Sequence, residues 1–483
     1  MGLWKSIINR MWNVFSVWFV FSVFTVFIFE RLHKVHPIPL VDEVFHIPQA
    51  RNYCDGNFLQ WDPKITTLPG LYVFSVIYLK IAGLFMGQDF CDVHGLRVFN
   101  VFICLANFIL IYKLQRQIST LGRWCDGRKC LADECKWRDL ATALNMSLFP
   151  VLYYFAFFYY TEQLSTFTVL LTYSLSLAEY TKESAIMGVI SIFVRQTNVI
   201  WIGFILLIKL FSLLQRDMVA VGQYVNVLKD EEFFQMVMAL IYHPLYSWWK
   251  RRQAFITLIS NYVVKMRHYL IVCVIFMIFV VINGGIVVGD KLAHVPVLHL
   301  SQMLYFILFA SSFCMPYFII LGASFKSWLR QHYIIAAIFL VLCAVVVRYY
   351  TFVHPYLLAD NRHYVFYIWK LLYERNPMIK YFLIPIYLYG GYCITYFLDT
   401  HSFAYKLSYL ICVFLILVPQ KLLEFRYFIL PFLIFRLNVY PKYRWQLWLE
   451  FFMYAIINLS TFYLFLTREI RWDDIAEVQR LMW

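Results

Sequence analysis

Residues 11–29 read MWNVFSVWFVFSVFTVFIF, an uninterrupted run without a single charge. At about 1.5 Å per residue, a helix of this length crosses about 28 Å, close to the hydrocarbon thickness of a bilayer. Lys5 and Arg10 precede the run, and Glu30-Arg31 follow it. The run exceeds the apolar region of a secretory signal, and Phe29-Glu30-Arg31 offers no small-residue cleavage site. A retained first span with a cytosolic N-terminus is therefore expected. Comparable runs recur at Tyr269–Val288 and Tyr333–Val347. Membrane barrels need about ten-residue stretches of alternating polarity instead. The expected fold class is an all-α polytopic membrane protein of 12–14 spans, with residues 1–483 forming one transmembrane domain.

Composition points the same way. Hydrophobic residues make up 62% of the 483 positions and charged residues 14%, against about 45–50% and about 25% in soluble chains. Too little polar side chain is present to coat a soluble surface, which excludes soluble enzymes, disordered chains and disulfide-stapled miniproteins. The net charge of +14 resides mainly in loops between apolar runs, as the positive-inside rule requires. No basic stripe interleaved with aromatics signals a nucleic-acid partner.

Charge also fixes the expected topology. Arg116, Arg123, Arg128, Lys129, Lys136 and Arg138 crowd the loop 115–138, and Lys250-Arg251-Arg252 lies within 215–268. Both are expected to be cytosolic. Simple alternation would export the first of them, unless Leu68–Met86 fails to cross. That segment starts at Pro69-Gly70 and is broken by Gly83 and Gly87. Residues 30–96 then become one large lumenal loop with an interfacial segment, and the loops around Arg195, 289–302, 352–377 and 422–426 are lumenal too.

Polar groups at membrane depth are costly and mark function by default. The first lumenal loop carries Asp42-Glu43, then His46, with Pro48 suited to a helix's first turn. Trp61-Asp62-Pro63-Lys64 follow. Later loops offer Arg195-Gln196-Thr197-Asn198, Asp360-Asn361-Arg362-His363-Tyr364 and Glu424-Phe425-Arg426. Lumenal arginines need a counter-charge, either a protein carboxylate or a lipid phosphate, whose oxygens a guanidinium fork matches.

The strings Asp42–Ala50 and Trp61–Tyr72, continued by Arg195–Asn198, His354–Lys370 and Leu422–Pro431, resemble those of the eukaryotic dolichyl-phosphate-glucose-dependent α-1,2-glucosyltransferases. The resemblance spans nearly the whole chain. It implies a GT-C-type helical bundle in the endoplasmic reticulum membrane, whose large first lumenal loop contains interfacial helices and a catalytic acid. It further implies a dolichyl β-D-glucosyl phosphate donor and a diglucosylated, nine-mannose dolichyl-diphosphate oligosaccharide acceptor. An α-glucoside from a β-phosphate demands inversion, hence one carboxylate to accept the proton of the attacking hydroxyl. Cationic groups near the phosphate suffice for the leaving group. Asp42 is the expected base, with Glu43 second. Arg362, His363, Arg426 and Arg195 are the expected phosphate contacts, and His46, Trp61, Asp62, Lys64, Tyr364 and Glu424 the expected substrate contacts. No metal or other cofactor is expected.

Three secondary signals remain. Cys125, Cys130 and Cys135 lack a nearby His and make a poor zinc set. Cys54 and Cys91 share the first lumenal loop, an oxidising compartment that permits a disulfide. The sequons at Asn145 and Asn458 fall at or within spans and are expected to stay unmodified. The rival reading is a transporter or channel-modulating subunit, but it would require polar rows along spans or inverted repeats.

Overall fold

The computed structural model describes residues 2–87, 89–120, 132–220, 252–291, 296–472 and 475–483. Cys125, Cys130, Arg123, Arg128, Lys129 and Lys250-Arg251, with residues 121–131 and 221–251 of the two basic loops, lie outside the described residues. The described residues are mostly helical, joined by turns and loops, with one short hairpin near the C-terminus.

Helix α1 (Gly2–Val35) carries the opening apolar run. Phe15, Phe19, Phe24 and Phe27 are more than half exposed on it, an arrangement that suits lipid and not water. A short turn leads into α2 (Glu43–Cys54), then the 17-residue apolar α3 (Gly70–Met86) and the long α4 (Val93–Thr120). Next come α5 (Ala132–Ser147), the short α6 (Pro150–Tyr154), α7 (Glu162–Leu177), α8 (Thr181–Val194) and α9 (Val199–Ala220). Among the described residues six helices are long and apolar enough to cross a membrane, and the pair Ser301–Phe313 and Met315–Gln331, bent by 80°, counts as a seventh if it is one span. Gly70–Met86, Tyr333–Tyr349 and Phe403–Leu417 are shorter apolar helices.

The most buried charged pair inside the bundle is fully hydrogen-bonded, as burial of ions requires. Arg436 and Glu450, both fully buried, form a 2.6 Å ion pair that Tyr317 and Asn145 complete. The Asn145 amide is committed to Glu450, and the Asn458 amide donates to the Leu148 carbonyl. Neither sequon presents a free amide. Cys54 and Cys91 are joined by a disulfide, with Cα atoms 6.4 Å apart. It ties the end of α2 to the segment between α3 and α4.

The last helix, Arg444–Thr467, is one of those long and apolar enough to cross a membrane. Its start lies beside α5, where Arg444 sits over the Trp137 ring. Its other end reaches the lower end of α1, where Phe465 meets His36 edge-on. The hairpin β1 (Ile470–Trp472) and β2 (Ile475–Gln479) follows, antiparallel, on that same side.

Candidate active site

The turn between α1 and α2 determines what each acid does. Val41 has φ +52°, a left-handed backbone that costs a β-branched residue dearly. Asp42 stands at the N-cap of α2 but makes no side-chain cap hydrogen bond. Its carboxylate turns outward and accepts from Arg426 Nη1 at 2.8 Å. Glu43 turns inward and is fully buried. Its carboxylate accepts from Arg97 at 2.9 Å and 2.5 Å, from the Tyr159 backbone N–H at 2.6 Å and from the Leu40 N–H at 2.9 Å. Four donors saturate Glu43, so it locks the first loop to α4 and to the segment between α6 and α7. The two neighbouring acids are thus separated, one to Arg426 and one to the core.

Arg426 is clamped from both sides. Its Nη1 holds Asp42, while Nε and Nη2 hold Glu424. Behind it opens a cleft with about 490 Å³ of empty space, lined by Glu162, Arg195, Asn198, Gln420, Arg426 and Tyr427 among others. Arg195 pairs with Glu162 at 3.1 Å. Glu162 is buried at the start of α7, and its Oε2 has no hydrogen-bond partner among the described residues.

His46, one turn into α2, bonds the Tyr72 hydroxyl at 2.6 Å. Burial pushes its pKa below the usual value in spite of the nearby Asp42 and Glu162 carboxylates, so its neutral form is favoured. Trp61 packs edge-on against Tyr72 at 5.9 Å. Asp62 accepts from the Lys64 backbone N–H, closing a tight turn, and Lys64 lies over the Phe45 ring.

The 360–364 segment gathers a second charged group. Arg362 donates to both oxygens of Asp360 and to Gln479 Oε1, and it lies 4.6 Å over the Trp472 ring. His363 faces Asp360 with Nε2 at 3.5 Å and the Trp483 carbonyl with Nδ1 at 3.2 Å. With acceptors at both nitrogens the imidazolium is favoured. Burial opposes this, but Asp360 and Glu424 win, and its pKa is raised. Asp360 in turn sits well below the usual carboxylate range, as His363 and Arg362 outweigh its burial. Tyr364 stacks near Trp483 at 4.9 Å.

Burial also pushes the Asp42 carboxyl upward, but Arg426, His46 and His363 outweigh it, and its pKa falls below the ordinary value. Asp42 is therefore ionised at neutral pH and able to accept a proton. Each expected phosphate-binding arginine has a carboxylate partner here: Arg195 with Glu162, Arg362 with Asp360, and Arg426 with Asp42 and Glu424. Among the described residues no group of three His, Cys, Asp or Glu is close enough to hold a metal ion.

Two participants escape the sequence reading. Glu162 is the only charged residue between 140 and 178, a signal of the kind that marks intramembrane sites. Arg97 carries no such cue, because it opens α4 where a loop charge is ordinary.

A match to the DIE2/ALG10 family covers residues 36–437, a range that holds Asp42, His363 and Arg426 together. The chain belongs to the DIE2/ALG10 family. Similar members include a rat protein, 36% identical over 92% of this chain and 93% of its own length. A fruit-fly protein is 34% identical over the same shares, and one from Arabidopsis thaliana is 32% identical over 94% and 96%. All three carry the name Dol-P-Glc:Glc(2)Man(9)GlcNAc(2)-PP-Dol alpha-1,2-glucosyltransferase. No solved structure matches. Membership of the DIE2/ALG10 family together with the apolar helices makes this a multi-pass membrane glycosyltransferase.

Proposed function

We infer that the Asp42 cleft transfers glucose from dolichyl-phosphate glucose to Glc(2)Man(9)GlcNAc(2)-PP-dolichol in an α-1,2 linkage, on the lumenal face of the endoplasmic reticulum membrane. The observation that carries the reading is the single guanidinium of Arg426, which holds Asp42 and also lines the neighbouring charged cleft. One cation thereby links a proton acceptor to a phosphate-sized anion site. An inverting displacement needs both within one substrate's span.

The steps follow from charge. The donor phosphodiester takes a place on Arg426, in the field of Arg195 and His363, and competes with Asp42 for Nη1. Asp42 loses its strongest counter-charge and becomes a better base. The acceptor hydroxyl gives its proton to Asp42 as its oxygen forms the bond to glucose C1. The C1–O bond to phosphate breaks with its electron pair on oxygen, leaving a dolichyl phosphate dianion that Arg426 and Arg195 stabilise. The proton passes from Asp42 to solvent or to that dianion. Arg362 holds Asp360 and so orients His363, and Glu43 holds the turn. His46, Trp61, Asp62 and Lys64 form the wall on the α2–α3 side, where sugar hydroxyls and rings are recognised.

Purified protein in defined lipid, given dolichyl-phosphate glucose and the diglucosylated acceptor, tests the reading. Formation of the triglucosylated product, lost in Asp42→Asn with donor binding retained, supports it. A membrane transport activity with no product would replace it.

A further inference from the structure

The chain beyond the last span is woven into the catalytic face. The Met482 N–H donates to the Arg362 carbonyl at 2.7 Å, and the Tyr364 N–H donates to the Met482 carbonyl at 3.1 Å. These make a parallel bridge between His363 and Met482. The Trp483 carbonyl accepts from His363 Nδ1. Its indole packs 4.9 Å from Tyr364 and 5.7 Å from Phe425, the residue between the two clamp members Glu424 and Arg426. Gln479 accepts from Arg362, and the Trp472 indole N–H donates to Asn361 at 2.8 Å. Arg480 is buried and donates to the Phe465, Leu466 and Arg468 carbonyls, which anchors the segment to the end of the last helix. Met482 is 2% exposed. A tail that only capped the bundle would need no such pairing with a charged loop.

We propose that Gln479–Trp483 is a positioning element of the active site, which sets His363 and the Glu424–Arg426 clamp at the spacing the donor phosphate requires. The proposal rests on the assignment of His363 and Arg426 to the donor side. His363 cannot rotate while both its backbone neighbours are bonded to Met482 and its ring to Trp483. Phe425 cannot drift while the Trp483 ring covers it. The residues that touch substrate are His363 and Arg426; the tail acts through them.

Met482→Pro tests this, because it removes the one N–H that bonds Arg362 and leaves the rest of the tail's chemistry intact. Its donor KM is expected to rise about tenfold, as the displaced His363 loses its charge-assisted contact to the donor phosphate. The acceptor KM and the melting temperature should move little, and Met482→Leu should behave as the parent. In a double-mutant cycle with His363→Ala the two losses should not add, since both remove the same placement. Should Met482→Pro reach the membrane poorly, Trp483→Ala keeps every backbone bond of the tail and is expected to raise the donor KM in the same way. Unchanged donor KM in both tail variants, with His363→Ala impaired, overturns the positioning role. If His363→Ala is itself silent, the assignment of His363 to the donor fails instead. Sidedness gives an independent reading. Arg471, with its side chain 78% exposed on the hairpin, is expected as Arg471→Cys to share the reactivity of Leu59→Cys toward an impermeant maleimide in sealed microsomes. Labelling of the first without the second would place the tail on the wrong face and end the proposal.

Discussion

Asp42→Asn preserves the side chain's shape and removes its capacity to take a proton. Turnover is expected to fall about 10²–10⁴-fold, with donor affinity largely kept, in kinetics that separate the two. Glu43→Gln is expected to behave differently. It leaves the buried Arg97 without its charge partner, a loss of about 3–5 kcal/mol for a broken buried pair. The readout is a lowered melting temperature and yield, while the folded fraction keeps its turnover. Normal stability in Glu43→Gln would show that Arg97 does not depend on it. The pH dependence carries a sign. His363 has a raised pKa, so its positive charge is present below that value and lost as pH climbs through it. The donor KM should therefore increase as pH climbs through that raised pKa, and His363→Asn should flatten that increase. An equally steep rise in the variant would assign it to another group. The sequence makes the acidic pair legible, since two carboxylates beside apolar residues stand out. It does not make their division legible, because which acid meets Arg426 depends on the backbone angle of Val41, and a valine there signals nothing.

The turn and helix that carry Asp42 are held by three restraints of different kinds. One is the left-handed Val41, whose strain costs about 1–3 kcal/mol. Val41→Gly removes that strain and is expected to keep or raise the melting temperature while it lowers kcat, because Asp42 is then free to leave the cleft. A variant with full kcat would show that the turn does not hold the base. Another restraint is the Cys54–Cys91 disulfide, which closes a separation of 37 residues and should contribute about 2–4 kcal/mol. Replacing both cysteines by serine is expected to destabilise the fold by that amount, read as a lowered melting temperature, and to leave the Glu43–Arg97 pair in place. The third is that pair itself. Apolar runs announce α1 and α4 in the sequence, and the glycines that flank α3 announce a segment unlike an ordinary span. The 80° bend near Cys314 is not legible, because it is set by packing between helices and not by a local breaker alone. Residues 121–131 and 221–251 of the basic loops that carry the topological reading lie outside the described residues.

At the scale of the molecule, three distant stretches converge on one face: the turn at 42, the segment 360–364 and the clamp at 424–426. Each is visible in the sequence as a polar island among apolar runs. Their convergence is not, since nothing local records which loop approaches which. Family membership, carried by a match over residues 36–437, leaves the hairpin and the tail beyond it, and these are the pieces that composition reads as an ordinary terminus. The prediction at this scale concerns sidedness. Leu59, 99% exposed, should be shielded from an impermeant reagent in sealed microsomes as Leu59→Cys, whereas Lys326→Cys on the bent pair should react. The reverse pattern would invert the whole arrangement.

The partners of the clamp are 384 positions apart in the chain, and this separation has a consequence in time. A ribosome delivers residues in order at about 5–20 per second, so Asp42 emerges well before Arg426 exists. The Glu43–Arg97–Tyr159 knot needs only the first third of the chain and can close early, which gives the nascent protein a finished scaffold with an unfinished centre. Until the loop at 424 is inserted, Asp42 is an unneutralised acid beside the membrane, and a stalled product remains catalytically silent however well its first helices are folded. Activity is therefore expected to switch on in a single late event of synthesis and not to accumulate with length. Loss of a late segment and loss of the base itself would look alike in an assay of product.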